Sequence, residues 1–132
     1  MLRGQKYSDL VFKEVEAVLA LDEKPRTKYK SLCKRAGGIF RTVGLLQFMT
    51  FIDAKGRKEK QYATLGEQLR RELYALNLVN NSELEPFLED LRKVQLPEYM
   101  HISRCMLDLL QWHKRISEIM IAGESVTHDD EE

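Results

Sequence analysis

No aspartate or glutamate occurs between Lys24 and Ile52, a stretch that carries seven lysines and arginines. Extended to residues 24–71, the balance is 13 basic residues against 3 acids, whereas the chain after Arg71 holds 5 against 13. The formal net charge is zero, so the molecule is neutral only on average. A segregated field of this kind concentrates polyanions at one surface and repels them from another, which points to an oriented surface facing nucleic acid or an acidic partner.

Other shortages narrow the class. Cysteine is limited to Cys33 and Cys105, both in helix-patterned segments, which favours reduced structural thiols over a disulfide or a zinc site. The longest apolar stretch, Leu45 to Ile52, is far short of the ~20 residues that cross a bilayer, so no transmembrane helix and no membrane partner are expected. Residues 1–9 lack the apolar core and cleavage site of a secretory signal, and a cytoplasmic location is the expectation. There is no glycine-rich phosphate loop, no HExxH, no paired CxxC and no aspartate pattern for magnesium. No cofactor, metal or catalytic residue is therefore expected, and a binding or assembly role is.

What is present is helical periodicity. The chain has 132 residues, 43% of them hydrophobic, enough for one domain with one core. Tyr7, Leu10, Val11, Val15, Val18 and Leu19 return at three- and four-residue steps and predict a helix from Lys6 to Leu21. Asp22 to Pro25 stops it, and a second helix is expected from near Thr27. That helix places Tyr29, Leu32, Cys33, Ala36, Phe40 and Val43 inward, with Lys30, Lys34 and Arg41 on a flank. Gly37 and Gly38 interrupt this flank as a tolerated kink or a close backbone contact, the kink being the preferred reading.

Gly44 opens the segment Leu45 to Ala54, apolar on nearly every side and expected to be the central core helix. The basic turn 53–60 leads to a fourth helix with Tyr62, Leu65, Leu69, Leu73 and Leu76 inward, and Arg57, Lys60, Thr64, Glu67 and Arg71 near its opposite face. Ser82-Glu83-Leu84-Glu85 matches a capping box for a short helix ending near Val94. Pro97 suits the first turn of a long final helix, along which Tyr99, Ile102, Met106, Leu109, Leu110, His113, Ile116 and Met120 repeat. The fold expectation is all-α, a compact single-domain bundle of five or six helices over residues 1–122, followed by an acidic, disordered tail over 123–132.

The histidines are His101, His113 and His128, and none has the surroundings of a general base. His113 lies in a core-like stripe beside Trp112 and reads as a half-buried structural histidine. His101 and Cys105 share a helix face but lack an orienting third group and an oxyanion site. Glu83, Glu85, Glu89 and Asp90 read as the solvated start of a short helix, where acids suit the dipole.

Two blocks carry a resemblance: Gly44-Leu45-Leu46-Gln47-Phe48-Met49-Thr50-Phe51-Ile52-Asp53-Ala54-Lys55-Gly56, and Tyr99-Met100-His101-Ile102-Ser103-Arg104 running into Leu109-Leu110-Gln111-Trp112-His113-Lys114-Arg115. They resemble the small helical subunit of the type III-B CRISPR (Cmr) effector complex, the fifth Cmr protein family, over about residues 5–121. The small subunit of type III-A complexes is the neighbouring family. The resemblance implies a non-catalytic subunit whose copies stack into an inner filament beside the other Cmr subunits, lining the channel for guide RNA and single-stranded target RNA. The residues expected at RNA phosphates are Lys30, Lys34, Arg41, Lys55, Arg57, Lys58, Lys60, Arg71, Lys114 and Arg115. Of these, Lys55, Lys114 and Arg115 match family motif positions, and the others follow from charge and helical spacing. The alternative is a helical protein–protein adapter whose basic surface meets an acidic partner. A helix-turn-helix regulator needs a polar recognition helix, and the segment from Leu45 is too apolar for one.

Overall fold

The computed structural model describes residues 2–122, and within them six helices follow one another with no strand: α1 (Arg3–Val18), α2 (Glu23–Val43), α3 (Leu45–Gly56), α4 (Lys60–Ala75), α5 (Leu84–Lys93) and α6 (Leu96–Met120). The all-α bundle is as expected. The expected tail over 123–132 lies outside the described residues.

The apolar stripes place the helices, while the ends differ from expectation for local reasons. Helix α1 buries Tyr7, Val11, Val15 and Val18 but stops at Val18, because the amides of Leu19, Ala20 and Leu21 turn back onto the carbonyls of Glu16, Ala17 and Val18. Such three-residue bonds tighten a helix end and use up its free carbonyls. Helix α2 begins at Glu23, four residues before the expected start, so Pro25 opens α2 rather than separating it from α1. In a first turn the missing proline amide has no bond to lose.

Gly37 and Gly38 neither break α2 nor bring a neighbour close. The helix continues to Val43, and a Cβ built on either glycine meets nothing within 4 Å. The close approach lies elsewhere, where α3 crosses α4. A Cβ on Gly56 would stand 2.9 Å from the Ala63 backbone, and one on Gly66 would stand 3.0 Å from Ile52 Cγ2. Gly44 serves a third purpose at φ +86°, a conformation that glycine adopts without a Cβ penalty. Its amide donates to the Phe40 carbonyl and its own carbonyl accepts from Phe48, both at 2.8 Å, so α3 starts with no intervening loop.

Helix α4, rather than α3, is central: it touches all five other helices. Helix α3 buries Leu45, Phe48, Met49 and Ile52 but leaves Gln47, Thr50 and Lys55 exposed, so its polar residues fix an outer face. The expected capping box before α5 is absent. Glu83 takes the cap position without a side-chain bond, and the preceding turn is fastened instead by Asp90, which accepts from the Asn80 amide at 3.2 Å and from Asn81 Nδ2 at 3.1 Å. Helix α6 carries Pro97 in its first turn and buries Ile102, Met106, Leu109, Leu110, His113 and Ile116.

Candidate nucleic-acid interface

Lys30 Nζ donates to the Ile121 carbonyl at 3.0 Å, and Gly37 and Gly38 lie near Leu110 and Gln111, so α2 and α6 run antiparallel. The seam between them has a dry inner side and a wet outer side.

On the inner side, Gln68 Nε2 donates to the Glu14 carbonyl at 3.0 Å, which turns its Oε1 toward Tyr29. The Tyr29 hydroxyl therefore donates to Gln68 at 2.5 Å, and its oxygen accepts from His113 Nδ1 at 3.1 Å. The other ring nitrogen, Nε2, lies 2.9 and 2.8 Å from the two Glu72 oxygens. Both imidazole nitrogens are donors, which makes His113 an imidazolium paired with the Glu72 carboxylate. His113 is fully buried, deeper than the half-buried position expected. Burial alone would lower its pKa, but Glu72, with Cys33 behind it, outweighs that effect and raises it to about 10. Burial raises the Glu72 pKa, and His113 opposes that rise. The cluster ties α2, α4 and α6 together.

On the outer side lies a groove of about 420 Å³ lined by Cys33, Lys34, Gly37, Gly38 and Arg41 from α2 and by Leu110, Gln111, Lys114, Arg115 and Glu118 from α6. Four of the ten sequence-predicted residues converge here: Lys34, Arg41, Lys114 and Arg115. All four are exposed, and among the described residues none makes an ion pair. Arg115 rests on the Trp112 ring, 5.6 Å from its centroid. Two cations on each wall face across a floor that Gly37 and Gly38 leave without side chains. Among the described residues Glu118 is the only carboxylate lining it.

The other six candidates are not part of that groove. Lys30 is held by the Ile121 carbonyl. Lys55 bonds Glu59 at 3.3 Å and stands over the Tyr62 ring. Arg57 lies 3.9 Å from Asp53. Arg71 grips both Glu14 oxygens at 2.9 and 3.2 Å and meets Glu67 at 3.7 Å. Its pKa is raised chiefly by the Glu14 hydrogen bond. Lys58 and Lys60 line a separate cavity with Lys24 and Lys28. Lys24 and Lys28 are not among the ten sequence-predicted residues, and Lys24 lies before the expected helix start near Thr27. Starting the helix at Glu23 puts Lys24 and Lys28 one turn apart on a single face.

His101 Nε2 stands 3.9 Å from Cys105 Sγ, and His101 is exposed. Among the described residues no group of three or more His, Cys, Asp or Glu could hold a metal ion, and no helix is long and apolar enough to cross a membrane.

Comparison with known proteins agrees with this architecture. The family described as "CRISPR-associated protein (Cas_Cmr5)" matches residues 3–120. A curated relative, "CRISPR system Cmr subunit Cmr5" of Thermus thermophilus, is 24% identical over 119 residues, covering 90% of this chain and 96% of the relative. A crystal structure of a CRISPR-associated Cmr5 family protein from the same organism superimposes with a TM-score of 0.76 at 22% identity, over 92% of this chain and 99% of that one. The chain thus belongs to the CRISPR-associated Cas_Cmr5 family, the fifth Cmr family that its two sequence blocks resemble.

Proposed function

We propose that the chain acts in a CRISPR Cmr effector complex as a non-catalytic subunit that grips RNA by its phosphates, with the α2–α6 groove as the grip. One observation carries this reading: Lys34, Arg41, Lys114 and Arg115 line one groove with Gly37 and Gly38, and among the described residues none of the four has an ion-pair partner. Several of the remaining candidates are partly neutralised by Asp53, Glu59, Glu14 and Glu67. Charges of this kind grip without reading sequence, since they act by releasing counterions condensed on phosphates.

Anisotropy titration of a labelled single-stranded RNA across a salt series tests it. Four phosphate contacts correspond to a logarithmic salt slope of roughly −3, at about −0.7 per contact on single strands. Lys34→Glu with Arg41→Glu should flatten the slope by about half and leave helicity intact. An unchanged slope refutes the groove assignment.

Stacking of copies follows from the same charge segregation. Glu83 at the cap of α5 and Glu85 in its first turn are exposed and suit the basic flank of a neighbouring copy, a head-to-tail arrangement that propagates. Sedimentation that shifts to larger species at low salt, and reverts with Glu83→Lys and Glu85→Lys, supports it. A monomer at every salt concentration and protein load counts against it.

A further inference from the structure

A second cavity, of about 410 Å³, lies between the first turns of α2 and the turn joining α3 to α4. Its size falls within the range of small-molecule sites, about 300–1,000 Å³. Lys24 and Lys28 form one wall, Lys58 and Lys60 the other, and Leu21, Pro25 and Tyr29 supply apolar lining, with Gln61 and Thr64 as further polar lining. Among the described residues Glu59 is the single carboxylate that lines it, and it is already engaged by Lys55 Nζ at 3.3 Å and Gln61 Nε2 at 3.5 Å. Asp22 and Glu23 head α2 but do not line the cavity. Among the described residues none of the four lysines has an ion-pair partner.

The contrast with the α2–α6 groove is one of charge geometry. The groove sets out its four cations along two antiparallel helices, an arrangement suited to a row of singly charged phosphodiesters. The cavity gathers four lysines on one lining, and α2 and α4 both begin at its rim, adding the positive ends of two helix dipoles. A lone phosphodiester offers one charge to that field. A terminal di- or triphosphate offers several in a compact group. Lysine ammoniums act as point charges that arrange themselves around such a group, and the Leu21 and Pro25 surface gives the attached sugar or base an apolar rest.

We propose that this cavity binds a compact, multiply charged phosphate group, the di- or triphosphate of a nucleotide or of an RNA 5′ end. The site is separate from the RNA groove and does not depend on it. Calorimetric titration of the full chain with inorganic triphosphate, beside orthophosphate, tests the site. Triphosphate should bind about tenfold or more tightly than orthophosphate, and Lys24→Gln with Lys58→Gln, both exposed residues, should remove that preference. Lys34→Gln with Arg41→Gln should leave it unchanged. Equal binding of the two anions, or equal loss in both double variants, overturns the proposal. Two further arms identify the source. A nucleoside triphosphate that outbinds inorganic triphosphate assigns the site to free nucleotide, and an RNA with a 5′-triphosphate that outbinds its 5′-hydroxyl twin assigns it to strand ends. Failure of the groove reading shows separately, as 5′-hydroxyl RNA that does not bind at all.

Discussion

The two sides of the α2–α6 seam use charge in opposite ways. Inside, one cation and one anion, His113 and Glu72, meet at 2.8 Å with almost no exposed surface. Outside, four exposed cations share a groove in which, among the described residues, one carboxylate is part of the lining. The inner pair has been taken out of water at a high desolvation cost, and its attraction offsets that cost only while both partners are present. The outer cations have lost little hydration and contribute little to stability, so their field remains available to a ligand. Burial therefore decides whether a charge on this seam holds the fold together or serves an incoming polyanion.

The sharpest way to break this contrast is to remove one inner partner. His113→Ala, which leaves the Glu72 carboxylate buried and unpaired, should destabilise the chain by about 3–5 kcal/mol in denaturant unfolding. Replacing both together, Glu72→Leu with His113→Leu, should cost less than the single change, because no orphan charge remains. Lys34→Glu with Arg41→Glu should alter stability by no more than about 0.5 kcal/mol while weakening RNA binding. Comparable stability losses inside and outside would mean that the seam is electrostatically uniform.

Titration separates the sides next. The His113 pKa stands raised to about 10, so the folded state holds this proton where the unfolded chain, near its ordinary pKa of about 6.5, has released it. The stability it contributes is complete below about pH 6.5 and is lost as pH rises through about 10. Tyr29, whose pKa burial also raises, adds to the loss above its ordinary value of about 10 with the same sign. Melting temperature should fall steeply between pH 7 and pH 10 in the parent chain and less steeply in the His113→Leu, Glu72→Leu double variant. Parallel curves would mean that the ion pair does not set the pH dependence.

Much of this architecture was legible in the sequence, because long amphipathic stripes such as Val11, Val15 and Val18 or Ile102, Met106 and Leu109 have one helical solution. The ends were less legible. Pro25 reads equally as a stop for one helix or a start for the next, and that ambiguity left Lys24 outside the expected helix. The polar core could be read only in part: Tyr29 and His113 fall on inward stripes, but Gln68 and Glu72 are polar residues on α4, and no spacing links the three helices that bring the four together. Lys55, Lys114 and Arg115 were candidates by motif position and the other seven by charge and helical spacing, yet which of the ten stays unpaired depends on acids such as Glu14, more than fifty residues from Arg71. The glycines make the same point, since Gly37-Gly38 attracts attention as a doublet while Gly56 and Gly66, far apart in sequence, hold the tight crossing.

That glycine contrast gives the smallest and most selective test of the outer side. Gly37 and Gly38 face open space in the middle of a continuous helix, so alanine at either position should stabilise the chain by about 0.5–1 kcal/mol through reduced unfolded-state freedom. Alanine at Gly56 should destabilise by about 1–3 kcal/mol, because its Cβ lands 2.9 Å from the Ala63 backbone, which cannot swing aside. The stabilised Gly38→Ala chain then probes the groove without touching its charge. If phosphates lie against the bare floor, an added methyl should weaken RNA binding a few-fold while the salt slope keeps its parent value, since the number of released counterions is unchanged. If binding stays at parent strength in a more stable protein, the cations reach the phosphates from the rims and the glycine floor is only space.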